Sequence, residues 1–183
     1  MTGWNSTRIT TKRLHLVAGN LDHCLAELES PERLGALLST EVGPGWPPGE
    51  YDRDAQEFFR DCLQAGGADV VGWYGWYIIR REEPSVLVGA GGFLGFPDEF
   101  GETEMGFSMV EKWRNQGYAT EMTQALILNA FEDPNVLKVI AHTTPDNAGS
   151  CKVLTKSGMR QTGIDEESGD LRFEIQRSEL TTH

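Results

Sequence analysis

The chain has 183 residues, 39 % of them hydrophobic and 24 % charged, with 28 acidic against 16 basic side chains and a formal net charge of −12. That length predicts one domain at the usual ~100–200 residues each, and the near-average composition excludes a disordered or fibrous chain. So large an acidic excess repels phosphate backbones, so no nucleic-acid partner is expected.

In chain order, residues 13–17 alternate polar and apolar side chains, as a half-buried strand should. Residues 21–28 and 32–38 read as short helices separated by Pro31, which suits the first turn of the second. Three prolines and three glycines make 43–49 a loop, and 52–64 is helical, ending at Gly66-Gly67. The aromatic, β-branched run 73–81 and the glycine-rich apolar run 86–96 flank Glu83-Pro84-Ser85, which predicts a β-hairpin. A strand at 103–110 follows, then a long helix at 117–131 with Ala119, Met122, Leu126 and Ala130 at helical spacing. A strand at 137–143, a helix at 147–157 and a last strand at 172–176 complete the chain. This order predicts an α/β (α+β) fold with a mixed sheet.

No apolar run reaches the ~20 residues of a membrane helix, and the opening Met1-Thr-Gly-Trp-Asn lacks the basic-then-apolar order of a signal peptide, so no membrane partner is expected. Cys24, Cys62 and Cys151 are odd in number, widely spaced and without a CxxC pair. They predict a reducing, cytoplasmic setting with no disulfide scaffold and no metal. Asn5-Ser6-Thr7 fits a glycosylation sequon, which has no meaning in that compartment.

The chemistry is densest at Arg114-Asn-Gln-Gly117-Tyr-Ala119-Thr120, where a strand passes into the long helix. Small residues there let backbone N–H groups approach a ligand, and a helix start with its dipole is a ready anion site. Arg114 adds a permanently charged planar donor suited to phosphate. A plain strand-to-helix turn needing glycine for its φ angle would use the same residues.

This segment resembles the phosphate loop of the GNAT superfamily of acetyl-CoA-dependent N-acetyltransferases, whose signature is Arg/Gln-x-x-Gly-x-Gly/Ala. Val139-Ile-Ala-His142-Thr143-Thr-Pro-Asp-Asn147, followed by Ser150 and Lys156-Ser-Gly158-Met159, is similar to the family's next strand and helix. Glu104-Met-Gly106-Phe107 matches the strand before the loop. With Thr11-Lys-Arg13-Leu-His-Leu, these motifs resemble the branch containing the ribosomal-protein N-terminal acetyltransferases.

The resemblance implies a GNAT fold, a single mixed twisted sheet of about six to seven strands with helices on both faces, in one domain over residues 1–183. It implies acetyl-CoA as cosubstrate and a primary amine acceptor, either a protein N-terminus or a small amine. The N–H groups of Asn115, Gln116, Gly117, Tyr118, Ala119 and Thr120 would hold the pyrophosphate beside Arg114. Met109 and Val110 would pair with the pantetheine arm as an added strand, and Asn147 would hydrogen-bond it from the other side. Glu104 is the candidate base, through a water, and Ser150 the candidate donor to the departing thiolate. An ordinary strand-end carboxylate and a small polar residue in a first helical turn describe these two equally well. Leu154 stands where many family members carry a tyrosine acid, which keeps a non-catalytic acyl-CoA-binding or sensing module as the alternative. His142 reads as a core or sheet-face residue, and Trp46 with one face of 73–77 as a wall of the acceptor pocket. Monomer and homodimer are both left open.

Overall fold

The computed structural model describes residues 7–180. The opening pentapeptide and the sequon residues Asn5 and Ser6 lie outside the described residues. Eight strands form a single mixed sheet: β1 (Arg8–Thr10), β2 (Leu14–Ala18), β3 (Gly75–Arg80), β4 (Val86–Phe93), β5 (Glu102–Met109), β6 (Lys138–Thr143), β7 (Arg160–Ile164) and β8 (Leu171–Gln176). Their spatial order is β1-β2-β3-β4-β5-β6-β8-β7. All neighbours are antiparallel except β5 and β6, which run parallel.

The sheet has two more strands than the lower expectation and one more than the upper. The additions, β1 and β7, are edge strands whose residues are exposed or half-buried. An edge strand that buries little needs no apolar alternation, so neither carries the pattern that exposes β2. In β2, Leu14, Leu16 and Ala18 are buried while His15 and Val17 between them are half-buried.

Helices cover both faces. On one, α4 (Tyr118–Ala130) and α5 (Ala148–Lys156) pack Met122, Leu126, Ile127 and Leu154 against Leu14, Leu16, Ile78, Met105 and Val139. On the other, α1 (Leu21–Glu29), α2 (Pro31–Leu38) and α3 (Arg53–Gly66) cover Tyr77, Ile79, Leu87 and Ala90. Local chemistry starts each of these three helices. Asn20 caps α1, Ser30 caps α2 with Pro31 at its first turn, and Asp52 caps α3. A short α6 (Arg177–Leu180) ends the described chain. The three cysteines are free.

The parallel pair β5–β6 is short. It joins Glu102 to Lys138, Thr103 to Val139 and Glu104 to Ile140. Beyond Glu104 the strands separate, β5 continuing to Met109 and β6 to Thr143.

Candidate active site

A cleft of about 520 Å³ occupies the splay between β5 and β6, bounded by residues 105–109 on one strand and 141–143 on the other. Register decides what β5 offers to it. The N–H of Val110 bonds the Val88 carbonyl and the N–H of Leu94 bonds the Glu104 carbonyl. In an antiparallel ladder such pairs alternate, so the backbone groups of Phe107 and Met109 face away from β4 and into the splay. Met109 is therefore at the cleft. Val110 is not, because it is buried in the core beneath α1–α3 with its N–H on β4.

The loop after β5 closes one end. Asn115 and Gly117 are left-handed, at φ 60° and 84°, and no side chain caps α4. Arg114, Asn115, Gly117, Tyr118, Ala119 and Thr120 all line the cleft, whereas Gln116 does not. The Gln116 side chain donates to the Lys112 carbonyl instead. Arg114 donates from Nε to the Met109 carbonyl at 3.1 Å, which fixes its guanidinium at the strand end.

Arg13, from the turn before β2, braces this loop. It donates from Nη1 to the Gln116 carbonyl at 2.7 Å and from Nε to Glu121 Oε2 at 2.7 Å, and its guanidinium lies 4.5 Å from the Tyr118 ring centre. Glu121 Oε1 also accepts from Thr11 Oγ1 and the Arg13 N–H. Desolvation pushes the Glu121 carboxyl up, but these hydrogen bonds and the guanidinium outweigh it and hold it below its ordinary value. No local pattern marks Arg13 and Glu121 as site residues, since only the fold brings the turn before β2 to the start of α4.

On the other strand, Asn147 caps α5 by accepting the Ser150 N–H at 3.1 Å. Asn147, Ser150 and Leu154 all line the cleft. Glu104 does not. Its Oε1 lies 2.7 Å from Nδ1 of His142, and it is the imidazole that reaches the cleft wall. An ionised carboxylate only accepts, so Nδ1 carries the shared hydrogen, and in the neutral imidazole the lone pair is then on Nε2. Glu104 and His142 thus form a carboxylate–imidazole pair with the histidine nearer the cleft. His142 is on the sheet face, as its place in a strand implied, but its partnership came only from the parallel register.

Trp46 takes no part in the cleft wall. It is buried, and its Nε1 donates to Glu27 Oε1 at 2.8 Å. Gln56 donates to the same oxygen at 3.2 Å, and the hydroxyls of Tyr51 and Tyr77 donate to Glu27 Oε2 at 2.8 and 2.7 Å. An aromatic residue in the proline-rich loop is therefore a tether to α1.

Known proteins of similar sequence and fold show the family. The family model described as an acetyltransferase (GNAT) domain matches residues 27–160. The Bacillus subtilis N-acetyltransferase YjdG is 35 % identical over 152 residues, covering 82 % of this chain and 88 % of that protein. The chain belongs to the GNAT acetyltransferase family. As a GNAT acetyltransferase it is an enzyme that uses acetyl-CoA as acyl donor. The fold is shared with a ribosomal-protein-S5-alanine acetyltransferase from Vibrio fischeri, at TM-score 0.65 and 14 % identity, covering 93 % of this chain and 97 % of that one. It is also shared with RimL, a ribosomal L7/L12 α-N-protein acetyltransferase solved with coenzyme A, at TM-score 0.64 and 17 % identity, covering 92 % and 97 %. Among the described residues no helix is long and apolar enough to cross a membrane, and no group of three or more His, Cys, Asp or Glu is placed to hold a metal.

Proposed function

We propose that this GNAT enzyme transfers the acetyl group of acetyl-CoA to a primary amine by direct attack on the thioester in the β5–β6 splay. The observation that carries this reading is the splay itself: a cleft with the backbone groups of Phe107 and Met109 turned into it, an uncapped helix start at one end and His142, hydrogen-bonded to Glu104 behind it, in its wall. The N–H groups of Asn115 and of residues 117–120 hold the pyrophosphate, with Arg114 supplying charge. The pantetheine arm adds to β5 through Phe107 and Met109, and Asn147 meets it from the side of α5.

The amine must shed a proton as its nitrogen bonds the acetyl carbon. Nε2 of His142 takes that proton, and Glu104 holds the imidazole in the accepting tautomer and stabilises the imidazolium. The carbon–sulfur bond breaks, and the thiolate leaves beside Ser150, whose hydroxyl donates a hydrogen bond to it. Acidic surface charge favours a cationic acceptor, and three free cysteines suit a reducing compartment.

A panel of primary amines and peptide N-termini incubated with acetyl-CoA tests this, with free thiol followed optically and product by mass. The expected result is one thiol released per N-acetylated amine. Leu154 in place of a tyrosine acid supports the rival reading, an acyl-CoA-binding module, and tight CoA binding with no thiol release from any amine would establish that rival.

A further inference from the structure

A second, smaller cavity of about 190 Å³ joins the cleft, sharing Glu50, Gly106, Phe107 and Ser108 with it. Its floor is Ala90 with the backbone of Gly91 and Gly92 of β4. Its roof is Ala55 and Phe59 of α3 with the ring of Tyr51, whose hydroxyl is engaged by Glu27. Gly106 lines both spaces, and a Cβ added to it would meet no atom within 4 Å. Glu50, the one carboxylate in the lining, is one of the residues the two spaces share.

The apolar character continues to the surface. Phe59 lies 6.1 Å from Tyr51 inside and 5.5 Å from Phe58 outside, ring centre to ring centre. Leu94, in the cavity wall, is 51 % exposed and Phe58 is 46 % exposed, so a non-polar path leads out of the slot. Large apolar side chains left open beside a reaction cleft, with small residues facing them, form a space for an apolar substituent.

We propose that this slot receives an apolar group carried next to the acceptor's amine, so that the preferred acceptor is a primary amine with an aliphatic or aromatic substituent. The inference rests on acetyl transfer occurring in the adjoining cleft. A hydrophobic N-terminal residue of a peptide and a free aralkylamine share this chemistry. Glu50 meets the ammonium, which gives its first proton to solvent before the neutral amine attacks, and the slot takes the side chain or ring.

The test measures kcat/KM at saturating acetyl-CoA for ethylamine, butylamine, isoamylamine and phenylethylamine, and for short peptides beginning with Gly, Asp, Leu or Phe. Values should rise roughly three- to fourfold per buried methylene, with Leu and Phe peptides well above Gly and Asp. A rise among peptides alone would identify a protein N-terminus as the acceptor, a rise among free amines alone a small amine, and a rise in both arms would support the slot for either carrier of the apolar group. Ala55→Leu, which fills the slot from α3, should abolish the preference for long substituents, and Leu94→Ser at the mouth should weaken it. A CoA titration of each variant checks its fold. A flat series in the wild type, or an unaltered preference in folded Ala55→Leu, would overturn the slot while leaving acetyl transfer intact. Bound CoA with no amine acetylated at all would overturn the transfer reading and the slot with it.

Discussion

His142 and Glu104 come together at 2.7 Å because β6 runs parallel to β5 and both side chains face the same side of the sheet. If the imidazole accepts the amine's proton, His142→Ala should lower kcat by ~10²-fold or more. Glu104→Gln should cost less, since it weakens the hydrogen bond that orients the imidazole and leaves the ring in place. Equal rates in His142→Ala and wild type at neutral pH would take the pair out of the chemistry. Gly117 gives a second test at this scale. A side chain there meets both a left-handed φ of 84° and the Arg13 guanidinium, 3.0 Å from an added Cβ. Gly117→Val should weaken CoA binding by ~1–3 kcal/mol, read by calorimetry. Gly117 and Arg114 stood out in the sequence because a turn motif is local. The histidine's role did not, because strand register is set by the whole sheet.

At the scale of elements, Glu27 joins α1 to the proline-rich loop, α3 and β3 through its four donors. Burial pushes its carboxyl up, and the hydrogen bonds from Tyr77, Tyr51 and Trp46 only partly oppose this. A carboxyl raised in the fold contributes stability that is full below its unfolded value near ~4.3 and is lost as pH rises through the folded value. Glu27→Gln, which cannot ionise, should therefore gain on the wild type as pH rises from about 4 to 8 in urea melts. Glu27→Ala strands buried donors and should cost ~3 kcal/mol or more. A Glu27→Ala protein as stable as wild type would show that the cluster does not fasten the helical face. Periodicity located α1, α3, α4 and the central strands to within a few residues. It missed β1 and β7, whose edge positions need no apolar face, and it placed Trp46 at the acceptor because a loop tryptophan gives no sign of a buried glutamate partner.

Over the whole molecule, the parallel pair stops at Glu104 and Ile140, so one continuous sheet carries its cleft at a seam. The formal charge of the chain is −12. With a cationic acceptor, kcat/KM should fall as salt shortens the Debye length from ~30 Å at 0.01 M toward ~8 Å at 0.15 M, and with an acceptor of low charge it should not. A cationic acceptor insensitive to salt would remove steering from the account. The overall architecture was legible from element order and three spaced motifs, whereas the cleft's position depends on where two strands part, which no local pattern records.

The central claim is that acetyl-CoA lies in the splay as an added strand on β5, and amide hydrogen exchange followed by NMR tests it residue by residue. Adding CoA should protect the N–H groups of Phe107 and Met109, which face the splay, together with those of residues 117–120. Ser108 and Val110, whose positions in the ladder already turn them toward β4, should change little. Protection that ignores this alternation, or that leaves the loop after β5 unchanged, would contradict the account.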